Sequence, residues 1–98
     1  MRHAEANHGR TTRFKKDFRR GQRQLHKGFD DLFDSIVEKL ANDVPLDAKY
    51  RDHSLSGEYN DCRDCHLRPD LVLIYLKTEM PQKLTLVRLG SHNELFGA

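Results

Sequence analysis

Three histidines and two aspartates in the second half of the chain could together carry out proton transfer. His53, His66 and His92 lie at the boundaries of predicted strands. Asp64 stands two residues before His66 on the same face of a strand, and Asp70 begins the next strand. Imidazole accepts and donates protons near neutral pH, and a neighbouring carboxylate fixes its tautomer. Such groups around a phosphodiester, with basic side chains to offset charge, are what RNA cleavage without a metal requires.

Each of these side chains also has an ordinary explanation. A histidine in a loop is more often a surface residue than a catalyst, and Asp70, which follows a proline, could simply cap a turn. An antiparallel sheet could nevertheless gather all five at one rim. Their spacing alone supports only a weak nuclease hypothesis.

Residues 62–66 read C-R-D-C-H, which matches the C-x-x-C-H spacing of covalent haem attachment. That chemistry needs export to an oxidising compartment and helices around the haem, whereas no apolar leader follows Met1 and strands are predicted here. A thioredoxin-like site would open a helix, and a zinc site would need a second ligand pair at metal-site spacing. We therefore expect a coincidental match, with both cysteines reduced and no haem, metal or other cofactor.

Two helices are predicted ahead of the strands. Thr11-Thr12 forms an N-cap before a basic segment in which Phe14 and Phe18 lie four residues apart, and Gly21 weakens the end of this helix. The second helix is the more regular, because apolar residues recur at helical spacing over residues 29–40 with charged residues opposite. Pro45 and the polar residues before it end this helix.

The remaining elements are predicted to be strands. Residues 71–76 form a continuous apolar run, typical of a central strand covered on both faces, and residues 84–89 follow after a turn as its hairpin partner. Residues 59–67 predict a third antiparallel strand, with Cys62, Asp64 and His66 on one face and Arg63 and Cys65 on the other. The predicted fold class is α+β, with two N-terminal helices packed on a small antiparallel sheet.

Length and charge limit the class of protein. A chain of 98 residues forms one domain, spanning residues 1–98, and is too short for a two-domain enzyme. No apolar run approaches the length of a membrane span, so we expect a soluble cytoplasmic protein with no membrane partner.

The net charge of +2 divides into +7 over residues 1–27 and −5 over residues 28–98. The basic part is typical of a surface for phosphate or an acidic partner, and equally of a solvated helix face.

Three stretches in register carry a resemblance to a known family. Residues 52–57 read D-H-S-L-S-G, residues 63–70 read R-D-C-H-L-R-P-D, and residues 90–97 read G-S-H-N-E-L-F-G. In this order and spacing they resemble the YafQ branch of the RelE/ParE toxin superfamily, over residues 45–97, and Thr11 to Asp17 resembles the start of the family's first helix. The resemblance implies a RelE-like toxin of a type II toxin–antitoxin system. It also implies a ribosome-dependent endoribonuclease that cleaves mRNA without a metal, through attack of the ribose 2′-hydroxyl on the adjacent phosphate.

The resemblance also implies partners and site residues. The partners are a cognate antitoxin, the mRNA, and the ribosome with its 16S rRNA. His92 matches the general acid and Asp70 the base, while His53 and His66 hold the phosphate and base of the RNA. Supporting or RNA-binding positions are Arg51, Asp64, Arg88 and Phe96, with Arg63 a further candidate that could equally be structural.

Two points in the resemblance stay open. The superfamily also contains gyrase-directed toxins of the ParE branch, so a non-catalytic or gyrase-directed toxin is the alternative; a binding module has no physical need for the histidine and aspartate set. The family's first strand alternates apolar residues, whereas residues 1–10 contain few. A strand there is expected to be poorly anchored, and to depend on the antitoxin or to fray.

Overall fold

A computed structural model describes residues 8–24 and 28–97 of the chain, which form three helices and five strands. In chain order the elements are β1 (His8–Arg10), α1 (Thr12–Gln24), α2 (Phe29–Ala41), β2 (His53–Ser54), β3 (Arg63–Arg68), β4 (Leu71–Glu79), β5 (Gln82–Gly90) and α3 (His92–Phe96), with short 3₁₀ turns at Ala48–Tyr50 and Gly57–Tyr59. No helix in this described part is long and apolar enough to cross a membrane.

Helix α1 begins where the sequence predicts. The Thr11 hydroxyl accepts a hydrogen bond from the Phe14 backbone N–H at 2.9 Å, which is the N-cap contact. The same hydroxyl donates to the Val87 carbonyl at 2.7 Å, so the cap also ties α1 to β5. The helix continues through Gly21, which is buried, and does not end there. Tertiary packing therefore overrides the local weakness of the glycine.

Helix α2 confirms the periodic prediction over residues 29–40. Its apolar face is buried, and its Phe29 and Phe33 rings pack with Phe14 and Phe18 of α1 at centroid separations from 4.8 to 5.9 Å. Gly28 precedes α2 at φ 95°, a left-handed conformation that glycine adopts without strain. The four rings form the contact between the two helices and cover one face of the sheet.

The sheet has five strands in the order β1-β5-β4-β3-β2. The three predicted strands form the antiparallel centre, although β3 begins at Arg63 rather than at the predicted Tyr59, which lies in a 3₁₀ turn. Strand β4 is buried on both faces at Val72, Leu73, Ile74 and Tyr75. The prediction of a purely antiparallel sheet is wrong at one edge, because β1 pairs with β5 in parallel. This pairing joins residues more than seventy positions apart, for which local periodicity carries no signal.

Strand β1 covers the last three residues of the segment expected to be poorly anchored, and residues 1–7 lie outside the described part. The Arg10 guanidinium lies over the rings of Phe14, Phe18 and Phe33, with its Cζ atom 5.2 to 5.8 Å from their centroids. These cation–π contacts anchor the end of β1 without apolar residues in the strand itself. Whether an antitoxin adds to this anchoring stays a prediction.

An aspartate of α1 takes up the free backbone N–H of Leu89 in β5, past Leu86 where the pairing with β1 ends. The Asp17 carboxylate accepts hydrogen bonds from the Leu89 backbone N–H at 3.0 Å and from the Arg88 guanidinium at 2.7 and 3.2 Å. Asp17 is 4% exposed and Arg88 is 8% exposed, so both charges are buried. Burial raises the pKa of Asp17, but the bonds from Arg88 and Leu89 outweigh it, and the net pKa lies below the usual value.

We expect Asp17→Asn to destabilise the protein by about 3 kcal/mol, because it leaves the buried Arg88 charge without a counterion. Chemical denaturation at pH 7 measures this difference. The double variant Asp17→Asn/Arg88→Met, which removes both charges, should be destabilised less. Glu38→Gln on the exposed face of α2 is the matched control and should change little. A single variant as stable as the control would contradict this role.

The same ion pair predicts how stability depends on pH. A carboxylate with a lowered folded-state pKa contributes stability above its unfolded-state pKa, and the contribution is lost as the pH falls through the folded-state value. The difference in stability between the wild type and Asp17→Asn should therefore be constant near neutral pH and shrink below about pH 4. A difference that grows on acidification would contradict this assignment.

Candidate functional site

The three predicted histidines come together on the face of the sheet opposite α1 and α2. His53 of β2 lies opposite Asp64 of β3 in the strand register, and His66 follows two residues later on the same face. His92 is the first residue of α3, directly after β5. The ring centroids of His53 and His66 lie 6.4 Å apart, and those of His66 and His92 lie 5.1 Å apart. We call these three side chains the histidine cluster.

A capping box places His92 at the start of α3. The Ser91 hydroxyl accepts from the Glu94 backbone N–H at 3.2 Å, and the Glu94 carboxylate accepts from the Ser91 N–H at 2.9 Å. Glu94 also forms an ion pair with Arg20 of α1 at 3.4 Å. We did not predict this helix, although the S-x-x-E pattern at residues 91–94 is a signal that could have found it.

Asp70 holds the ring of His92. It lies in the two-residue turn between β3 and β4, where its Oδ1 atom is 3.3 Å from both the backbone N and the ring Nδ1 of His92. Because a carboxylate accepts, Nδ1 carries the proton, and Nε2 remains free to meet a substrate. The His92 side chain is 49% exposed, so the cluster is open to solvent at this point.

Asp64 is a buried carboxylate beneath the cluster. Its Oδ1 atom is 3.1 Å from Nδ1 of His53, yet that nitrogen is 2.7 Å from the Arg51 carbonyl oxygen. A carbonyl only accepts, so the single Nδ1 hydrogen points to Arg51, and Asp64 Oδ1 has no hydrogen-bond donor among the described residues. Burial raises the pKa of Asp64, and the charges of the three histidines oppose this increase. Asp64 therefore interacts with the cluster through charge rather than through a hydrogen bond.

Asp52 anchors the two-residue strand that carries His53. Its Oδ1 atom accepts from the Tyr75 hydroxyl at 2.5 Å and from the Arg63 Nε at 3.1 Å, on the side of the sheet that faces the helices. Burial, together with the bond to Asp52, raises the pKa of the Tyr75 phenol, so it stays a hydrogen-bond donor. We did not predict Asp52 or Tyr75 as positioning residues, because their contact joins separate strands.

The other predicted site residues divide into two groups. Phe96 lies beside the cluster, with its ring centroid 5.9 Å from that of His92, and the Arg51 side chain is exposed next to His53. Arg63 pairs with Asp52 and serves the scaffold. Arg88 does not fit the predicted direct contact with RNA, because its guanidinium is buried in the ion pair with Asp17.

The side chains of the C-x-x-C-H pattern do not lie together in one site. Cys65 is fully buried in the core under the helices, whereas His66 faces the opposite side of the sheet as part of the cluster. Burial raises the pKa of the Cys62 and Cys65 thiols, which keeps them protonated. Among the residues that the structure describes, no group of three or more His, Cys, Asp or Glu side chains is placed to hold a metal ion.

Comparison with known proteins identifies relatives along nearly the whole chain. A family model described as "Bacterial toxin of type II toxin-antitoxin system, YafQ" matches residues 6–97. The chain is 37% identical over 84 residues to "mRNA interferase toxin YafQ" of Escherichia coli strain K12. The aligned residues make up 86% of this chain and 88% of that protein.

Solved structures of relatives share the fold. The structure of the E. coli DinJ-YafQ complex matches with a TM-score of 0.81 at 32% identity, covering 93% of this chain and 98% of that chain. A metal-bound toxin from Helicobacter pylori matches with a TM-score of 0.84 at 40% identity, covering 92% and 98%. These matches confirm the RelE-like α+β fold. The chain therefore belongs to the YafQ family of bacterial toxins from type II toxin–antitoxin systems.

Proposed function

We propose that this toxin is an mRNA interferase that cleaves ribosome-bound mRNA by metal-free acid–base catalysis at the histidine cluster. Family membership supports the endoribonuclease activity, since the matched E. coli relative is named an mRNA interferase. The observation that carries the mechanism is the geometry of the cluster. Three imidazoles lie in a row with ring separations of 6.4 and 5.1 Å, and a carboxylate contacts the ring at one end.

His92 acts as the general acid and Asp70 as the base. The ribose 2′-hydroxyl attacks the adjacent phosphate, its proton passes to an Asp70 carboxylate oxygen, and the departing 5′-oxygen takes the Nε2 proton of the His92 imidazolium. Asp70 Oδ1 faces the His92 ring, which leaves Oδ2 for the 2′-hydroxyl proton. The products are a 2′,3′-cyclic phosphate and a 5′-hydroxyl end.

His53 and His66 hold the phosphate. His66 lies next to His92 and His53 lies next to His66, and the His53 side chain, at 54% exposed, can reach a substrate. The exposed Arg51 side chain beside them offsets charge as it develops on the phosphate oxygens. The buried Asp64 charge below the row holds the histidines in place by attraction.

The partners are a cognate antitoxin and the ribosome, which places the toxin in the cytoplasm. The match to a DinJ-YafQ complex supports an antitoxin partner. Helix α1 supports contact with 16S rRNA, because its outer face carries the exposed basic residues Arg13, Lys15, Lys16, Arg19 and Arg23. Binding through such a face is salt-sensitive, since each phosphate contact releases counterions.

We expect His92→Gln to reduce mRNA cleavage by about 10²–10⁴-fold and to abolish growth arrest, because it removes the proton donor. Induction in cells with mapping of message 5′ ends measures both. Antitoxin binding should be unchanged, and Asn93→Ala, at the exposed neighbouring position, is the control that should retain toxicity. A fully toxic His92→Gln variant would overturn the catalytic assignment. Growth arrest with intact messages and inhibited gyrase would instead support the ParE-like alternative.

Cleavage should not depend on a transition metal, because the proposed proton donors and acceptors are protein side chains. A chelator of transition metals, with free Mg²⁺ held constant to keep ribosomes intact, is expected to leave the rate of message cleavage unchanged. Loss of activity that only zinc or copper restores would rule out the metal-free mechanism.

A further inference from the structure

A cleft of about 580 Å³ lies beside the histidine cluster. One side is the 3₁₀ turn Ala48–Tyr50, which packs on β3, and the other is the end of β3. His66 is one of the lining residues of the cleft, and its ring belongs to the histidine cluster, so the two adjoin at this residue of β3. The volume falls within the range of roughly 300–1,000 Å³ that small-ligand sites occupy.

The cleft is cationic. Lys49, Arg51 and Arg68 line it, and none of its described lining residues is acidic. Within residues 8–24 and 28–97, these three side chains form no ion pair, whereas Arg63 and Arg88 each pair with an aspartate. Three positive charges without a carboxylate partner around one cavity favour an anionic ligand.

The cleft also offers a flat apolar surface. Tyr50 is partly buried against the core, and Lys49 Nζ lies 5.3 Å from the centroid of its ring. Pro69 and Leu67 line the cavity beside it. Aromatic rings on which bases stack, set among cations that follow the backbone, are the features by which proteins bind single-stranded nucleic acid.

We propose that this cleft binds a nucleotide of the RNA strand next to the scissile phosphate, with its base on Tyr50 and its phosphate held by Lys49 and Arg68. The proposal rests on the proposed function, which requires a single RNA strand to cross His66. The strand that reaches the histidine cluster then continues into the cleft, and the cleft adds binding energy without taking part in the chemical step. Lys49, Tyr50 and Arg68 are binding residues and take no part in proton transfer.

The charge of the cleft can be tested with a matched pair of double variants. Lys49→Gln/Arg68→Gln removes two cations from the cleft, and Lys39→Gln/Lys83→Gln removes two from elsewhere on the surface. The probe is a short single-stranded RNA with 2′-O-methyl riboses, which cannot be cleaved, titrated at low salt and followed by fluorescence anisotropy. The cleft variant should bind about tenfold more weakly, and its salt slope should fall by about 0.7 for each phosphate that the removed cations no longer neutralise. The control should bind as the wild type does.

The stacking contact is tested at Tyr50. Tyr50→Phe keeps the ring and should bind the probe as the wild type does, whereas Tyr50→Leu keeps apolar bulk but removes the aromatic face and should weaken binding several-fold. Thermal denaturation of each variant confirms folding. Equal binding by the cleft variants and the control variant, or a wild type that binds no probe at low salt, would overturn the proposal. Cleft variants that bind the antitoxin more weakly but bind RNA as the wild type does would also overturn the proposal, since the cleft would then bind a protein partner.

Cleavage of ribosome-bound mRNA separates failure of the cleft from failure of the proposed function. The cleft variant should raise KM and keep kcat, because it weakens binding while His92 and Asp70 remain. A wild type that cleaves no message refutes the proposed function, while the anisotropy result still decides whether the cleft binds RNA. An active wild type with an unchanged KM in the cleft variant refutes the cleft alone.

Discussion

The buried ion pair between Asp17 and Arg88 joins helix α1 to the last strand, and the position of His92 depends on this contact. Strand β1 pairs with Leu84, Thr85 and Leu86 of β5, and this pairing ends at Leu86. The following residues of β5 would therefore present an open edge. Thr11 and Asp17 close that edge by bonding to Val87 and Leu89. Strand β5 ends at Gly90 and α3 starts at His92, so a displacement of the end of β5 would also displace His92, the proposed general acid.

The two faces of the sheet have separate tasks. One face is covered by α1 and α2, and the larger hydrophobic core lies between these helices and the sheet. The other face carries a small apolar group of Val72, Ile74 and Leu95 and then the histidine cluster. Successive side chains of a strand point to opposite faces, so one strand contributes to both the core and the site. In β3, Cys65 faces the helices, whereas Asp64 and His66 lie on the face of the histidine cluster. The cluster is therefore built on rigid strands, which favours precise ring positions.

The basic residues fall into two classes that net charge does not separate. Arg88, Arg63 and Lys77 are paired with aspartates and stabilise the fold. The exposed cations of α1 and those of the cleft beside His66 have no such partner among the described residues, and they are the ones available to RNA. In this arrangement a chain with a net charge of only +2 can present two cationic surfaces to a polyanion.

Local patterns in the sequence determined helices α1 and α2, the three central strands and the alternation that places Asp64 and His66 on one face. They did so because helix capping and apolar periodicity act within a few residues. The histidines and Asp70 could be named from three short stretches in register, and the structure brings these side chains together. Only the tertiary structure decided the parallel pairing of β1, the anchoring of β2 by Asp52 and Tyr75, and the burial of Arg88. These contacts join residues far apart in the chain, and an arginine that binds phosphate has the same local sequence signal as one that neutralises a buried aspartate.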